Sequence, residues 1–143
     1  MITQLTNVTE EVVATLSHIW FTSNIEAHDF IDEAYWLENK SAVEAALPSA
    51  TLFVYSIDDT IVGFLGLMDT YIAGIFVLNA YRSHGIGTQL LAKAKAEHPQ
   101  LTLAVYKKNA AALRFYLKND FVIQKERLDA ETDEWEAQMT WQA

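Results

Sequence analysis

The chain has 143 residues, 51% of them hydrophobic, and a formal net charge of −9. That length suits one domain spanning 1–143 with a full core, and the apolar content excludes a disordered chain. The absence of cysteine removes disulfides, thiolate metal sites and an acyl-enzyme on sulfur, and the acidity argues against a nucleic-acid partner.

No apolar run approaches a membrane span, and the first residues lack the basic-then-apolar form of a signal peptide. A cytoplasmic protein without membrane attachment is therefore expected. His18, His28, His84 and His98 are not spaced as a metal cluster, so no metal is expected. Neither a Gly-x-Ser-x-Gly elbow nor a His-Glu-x-x-His pair occurs.

Ile2 to Leu5 reads as a short first strand. Asn7, with Glu10 three residues on, predicts the start of a helix whose inner face is Val12, Leu16, Ile19 and Trp20. A second short helix is expected after Asp29, then a third segment from Ser41 to Leu47 halted by Pro48. Thr51–Ser56 and Thr60–Met68 read as strands joined at Asp58-Asp59, and Tyr71–Leu78 follows through Asp69-Thr70. Gly74, inside that last strand, predicts a bulge or a close approach to the backbone.

The most informative stretch comes next: Arg82-Ser83-His84-Gly85-Ile86-Gly87-Thr88. It joins the apolar run to a helix in which Ile86, Leu90, Leu91 and Ala94 recur at helical spacing. A helix start leaves backbone N–H groups unpaired, and two glycines strip away the side chains that would shield them. Such a site suits a phosphate or pyrophosphate. The spacing is neither the dinucleotide fingerprint nor the P-loop, and a bare structural turn is the alternative. Charge supports the anion. Residues 1–80 carry eleven acids and one base, 81–128 nine bases and three acids, and 129–143 five acids and no base. The one basic segment thus begins at the glycine loop.

Pro99 ends that helix and Leu101–Tyr106 reads as a strand. Asn109 predicts a cap for a helix to Lys118, on which Ala112 and Tyr116 stack at i, i+4. Phe121–Arg127 and Trp135–Trp141 close the chain as a hairpin, with Trp135, Ala137, Met139 and Trp141 expected on one buried face. The fold class predicted is α/β, a mixed sheet of about seven strands with helices on both faces.

Two segments together resemble the GCN5-related N-acetyltransferase (GNAT) superfamily. Phe76 to Leu91 is similar to its strand, Arg/Gln-x-x-Gly-x-Gly/Ala loop and helix. Leu103 to Asn109, with Ala112, Phe115-Tyr116 and Phe121, is similar to its Asn-x-x-Ala-x-x-Phe-Tyr-x-x-x-Gly-Phe pattern. Ala27-His28-Asp29-Phe30-Ile31 further resembles small single-domain bacterial members. Two positions depart from the pattern. Asn79 stands for the family proline, and Asp120 for the glycine after the last helix.

The resemblance implies the acyl-CoA N-acyltransferase fold, a mostly antiparallel twisted sheet splayed between strands 71–78 and 101–106. It implies acetyl-CoA as co-substrate and an amine as acceptor. Arg82, Ser83, His84, Gly85, Ile86, Gly87 and Thr88 would hold the pyrophosphate. Phe76 and Val77 would offer main-chain hydrogen bonds to the pantetheine arm, Asn109 would bond near it, and Tyr116 would sit by the thioester sulfur.

Amine acetylation needs a neutral amine, an oxyanion donor and a proton for the departing thiolate. Direct attack in a ternary complex is expected, with Tyr116 as the general acid and an N–H at the end of strand 71–78 facing the thioester carbonyl. Strands 60–68 and 71–78 hold no acid, so the base is sought among His28, Asp29 and Glu33, with His28 taken as the catalytic candidate. Asp29 also fits an N-cap and His28 a structural hydrogen bonder, and a water chain without a single base is a further route. The acidic N-terminal half is expected to supply a site for a cationic acceptor: a small amine, a lysine side chain or a peptide N-terminus. The alternative is an acetyl-CoA-binding sensor without turnover. Monomer and homodimer are both compatible with the sequence.

Overall fold

In the computed structural model, which describes residues 1–143, the strands follow one another through turns built on aspartates. Asp58 and Asp59 take left-handed backbone, φ 50° and 63°, the geometry that matches strand twist in a two-residue hairpin. They join β2 (Thr51–Ile57) to β3 (Thr60–Met68), and Asp69, φ 56°, turns the chain into β4 (Tyr71–Val77). β1 (Ile2–Gln4), β5 (Gln100–Tyr106), β6 (Val122–Asp129) and β7 (Glu134–Gln142) complete a seven-stranded sheet of order β1-β2-β3-β4-β5-β7-β6.

Every neighbouring pair is antiparallel except β4 and β5, which run parallel and meet at one register pair, Tyr71 with Thr102. The departure begins on β4 itself. Gly66 faces Gly74 but Leu67 faces Ile72, so Ala73 is an extra residue on β4. A bulge adds local twist, and β4 diverges from β5 beyond it. The Phe76 ring folds back over Gly74, where a Cβ would lie 2.2 Å from it. Both expectations for Gly74 hold.

Helices α1 (Glu10–Ala27) and α2 (Glu33–Ala46) cover one face of the sheet; α3 (Ile86–Glu97) and α4 (Ala110–Lys118) cover the other. Leu16, Ile19, Trp20, Trp36, Val54 and Phe64 form the core under α1 and α2. Phe53, Leu65, Leu90, Leu91, Leu101 and Met139 form the core under α3 and α4. Each such side chain contributes about 1.5–3 kcal/mol by leaving water.

Four local expectations are corrected. Thr9, not Asn7, caps α1, its hydroxyl accepting the Val12 N–H at 3.2 Å. Asp32, not Asp29, caps the next helix, accepting the Ala34 N–H at 3.0 Å. The two segments expected around Ser41 are one continuous helix, because Lys40 and Ser41 carry no breaker, and Pro48 sits in the 3₁₀ turn that follows. On β7, Ala137 and Met139 are fully buried but Trp135 is 54% exposed, since it lies at the strand's start, beyond the helices that cover the sheet. Asp120 does replace the family glycine in its conformation: its φ is 72°.

Candidate active site

The divergence of β4 from β5 opens a passage through the sheet. Two cavities, of about 320 and 360 Å³, share Asn24, His28, Ile75, Phe76, Asn109, Ala112 and Tyr116 in their walls, so they are two ends of one slot. The first opens beside the glycine loop, the second toward the β6–β7 hairpin.

At the loop end the backbone is prepared for an anion. Ser83 and Gly85 both have positive φ, 67° and 76°, which turns successive amides inward. Gly85 is the N-cap of α3 and offers no side-chain cap. None of the amides from Ser83 to Thr88 finds an acceptor in the protein; the first helical bond is made by the Gln89 N–H, to the Gly85 carbonyl. Six consecutive donors on a helix N-terminus fit a pyrophosphate. Arg82 adds the positive charge at this mouth, bonding the Val77 carbonyl through Nε at 3.0 Å and Glu26 at 3.3 Å. His84 is exposed and bonds the Tyr81 carbonyl at 2.9 Å, so its ring braces the turn from outside.

The strand edge needs one revision. The Leu78 N–H donates to Val62 on β3, and main-chain groups alternate sides along a strand. Phe76 therefore spends its main-chain groups on β3, while Ile75 and Val77 turn theirs to the slot. The main-chain N–H groups open to the slot on this edge are those of Ile75 and Val77, since the Leu78 amide, just past the strand, is already used. Phe76 contributes its ring to the wall instead.

In the middle of the slot, His28 and Asn109 meet. Asn109 Oδ1 accepts the Ala112 N–H at 3.2 Å as the cap of α4, which leaves its Nδ2 to donate to His28 Nε2 at 3.1 Å. His28 Nδ1–H in turn donates to the Asn24 carbonyl at 3.0 Å. This chain assigns the tautomer and occupies the Nε2 lone pair, so the ring carries no unpaired acceptor in this arrangement. Burial lowers its pKa, against the Asn24 carbonyl, which raises it. The ring stacks on Trp36, with centroids 5.2 Å apart. The other two base candidates, Asp29 and Glu33, are exposed and outside the slot.

Tyr116 reaches the shared wall from α4, with 7% of its surface exposed. No protein group hydrogen-bonds its hydroxyl, and burial, followed by nearby Tyr71, pushes its pKa well above the ordinary tyrosine value. It is a protonated donor without a partner.

The hairpin end has the opposite polarity. Its charged wall residues are Asp129 and Glu136, among the aromatic rings of Trp20, Tyr35, Trp36, Tyr71 and Tyr106. Tyr106 donates to Asp129 at 2.9 Å and Tyr35 to Glu131 at 3.1 Å, which fixes both rings. The acids of this mouth thus come from the C-terminal hairpin and not from the N-terminal half. Sequence reading missed Glu136 because its alternation with Ala137 and Met139 marks a solvent face; the strand beside it, ending in Tyr106, turns that face into a wall. Asn24 was legible in principle, lying one helical turn before His28.

Comparison with known proteins identifies the family. The family described as "Acetyltransferase (GNAT) domain" matches residues 48–123. The peptidyl-lysine N-acetyltransferase YiaC of Escherichia coli is 34% identical over 107 residues, 73% of each chain. The solution structure of apo YjaB from Escherichia coli superposes with a TM-score of 0.84 at 27% identity, covering 99% of this chain and 96% of that one. A Bacillus anthracis protein solved in complex with acetyl coenzyme A gives a TM-score of 0.60 at 26% identity, over 66% of this chain and 62% of that one. The chain belongs to the GNAT family of N-acetyltransferases, whose acetyl donor is acetyl-CoA.

Proposed function

We propose that this enzyme acetylates a cationic primary amine directly in a ternary complex, with the side chain of a peptidyl lysine as the foremost acceptor. The observation that carries this reading is the slot's polarity: free amides and Arg82 at one mouth, Asp129 and Glu136 among aromatics at the other. An anionic donor and a cationic acceptor enter such a slot from opposite ends. The name of YiaC supports lysine as the acceptor.

Acetyl-CoA, when bound, supplies the activated thioester. The residues do the rest. Amides 83–88 and Arg82 hold the diphosphate, and the slot-facing edge of Ile75 and Val77 aligns the arm as an added strand. The Val77 or Ile75 N–H lies where an acyl oxygen gains charge. The aromatic mouth strips water from the incoming amine and so favours its neutral form. Tyr116 donates its proton to the leaving sulfur as the C–S bond gives way to C–N, and its phenolate then takes the proton that the nitrogen sheds; burial keeps the phenol protonated until then. His28 holds Asn109, and with it the start of α4, against the slot.

Free-thiol release on mixing enzyme, acetyl-CoA and a panel of amines and lysine peptides tests the reading. The expected result is release that depends on the amine, with a 42 Da gain on the lysine, the mass that ~1 acetyl adds in place of a proton. Tight binding of acetyl-CoA with no release from any amine sinks it.

A further inference from the structure

The hairpin mouth contains one carboxylate oxygen that the protein leaves unused. Glu136 is 9% exposed, and its Oε1 accepts from Arg127 Nε at 2.6 Å. Its Oε2 has no partner. The neighbouring acid offers nothing comparable. Asp129 Oδ2 accepts from Tyr106 and Thr132, and its Oδ1 from the Glu131 N–H. The free anionic acceptor at this mouth is therefore Glu136 Oε2.

Its place decides what it can take. Glu136, Tyr71 and Tyr116 all line the cavity at this mouth, and of the three only Tyr116 also lines the cavity at the loop end, so Glu136 belongs to the far mouth alone. The reacting nitrogen, next to Tyr116, must be neutral to attack. A fixed anion in contact with it would hold it as ammonium and oppose the reaction. An anion confined to the far mouth does not, and a carboxylate already paired to a guanidinium is a standing charge rather than a proton shuttle.

We propose that Glu136 Oε2 docks a second positive charge of the acceptor, so that the enzyme prefers amines carrying another cation a few bonds from the one acetylated. A lysine beside a second basic residue and an alkyl diamine share that chemistry. The proposal rests on the transferase reading above and adds the substrate class to it.

The test compares 1,5-diaminopentane with 1-aminopentane, which present the same reacting end. Wild-type kcat/KM is expected to favour the diamine by about tenfold or more, the size of one desolvated ion pair, mainly through KM. Glu136→Gln, which keeps the side-chain shape, brings that ratio close to one. Glu126→Gln, on the exposed outer strand of the same hairpin, keeps it. Calorimetric titration of both amines into the CoA-loaded enzyme asks the same question without turnover, and the same tenfold loss of diamine binding is expected in Glu136→Gln. A wild-type enzyme indifferent to the second charge, or a Glu136→Gln variant that retains the preference in binding, overturns the proposal. Absence of acetylation alongside selective diamine binding would refute the transferase reading and leave this site standing.

Discussion

His28 and Asn109, 81 residues apart in the chain, are joined by a 3.1 Å hydrogen bond at the centre of the slot. The bond ties the end of α1 to the start of α4, across the gap where β4 and β5 part. Asn109→Ala removes a helix cap and is expected to cost about 1 kcal/mol, seen as a Tm drop of about 3–4 °C. His28→Ala leaves the Asn109 amide unpaired, and the double variant is expected to fall short of the summed single losses by about 0.5 kcal/mol or more. Strict additivity by denaturant titration would show that the contact carries no coupling.

The same histidine gives stability a pH dependence. Burial lowers the folded His28 pKa, so the folded state takes up fewer protons than the unfolded chain. The stabilisation is whole above the ordinary histidine value of about 6.5 and is lost as pH falls from there through the lowered folded value. Urea midpoints measured from pH 8 to pH 5 should therefore decline more steeply for the wild type than for His28→Gln. Parallel curves would remove this role.

Tyr116→Phe deletes only a hydroxyl that no protein group bonds. Its Tm should stay within about 2 °C of wild type, while kcat falls by about 10²–10⁴ and amine KM changes little. Undiminished turnover would dismiss the phenol as the acid.

The two loop glycines separate folding from binding. At Gly85, φ is 76°, and alanine there is strained by about 1–2 kcal/mol. At Gly87 a methyl meets only Phe115 and Ile75, at 3.6 Å or more, so the fold accepts it, yet the methyl stands in the wall of the loop mouth. Gly87→Ala should keep its Tm and bind CoA about tenfold more weakly by calorimetry, the equivalent of about 1.4 kcal/mol.

Gly74 and Phe76 form a locked pair. Alanine at 74 collides with the Phe76 ring and is expected to cost about 1–3 kcal/mol by overpacking. Phe76→Leu in the same chain should recover part of that loss, measured by thermal unfolding. An unaltered Tm for Gly74→Ala would mean that the ring swings aside freely.

Most of the scaffold is legible along the chain because its signals are local. The aspartate turns, the Asn109 cap and the glycine loop each depend on neighbours within four residues, and each lies where the pattern places it. The misplaced caps are not local in origin: Asn7 and Asp29 are competent caps that lost to Thr9 and Asp32, because which cap is used depends on where the helix packs.

The site itself was decided in three dimensions. Chain order cannot say that a bulge at Ala73 parts β4 from β5, that alternation turns Val77 and not Phe76 to the slot, or that His28 spends its lone pair on Asn109. Nor does it distinguish Glu136 from the solvent-facing acids of the same hairpin. Backbone preference acts over one turn or one hairpin, whereas the polarity of the passage arises only when strands distant in sequence lie side by side and helices close over them.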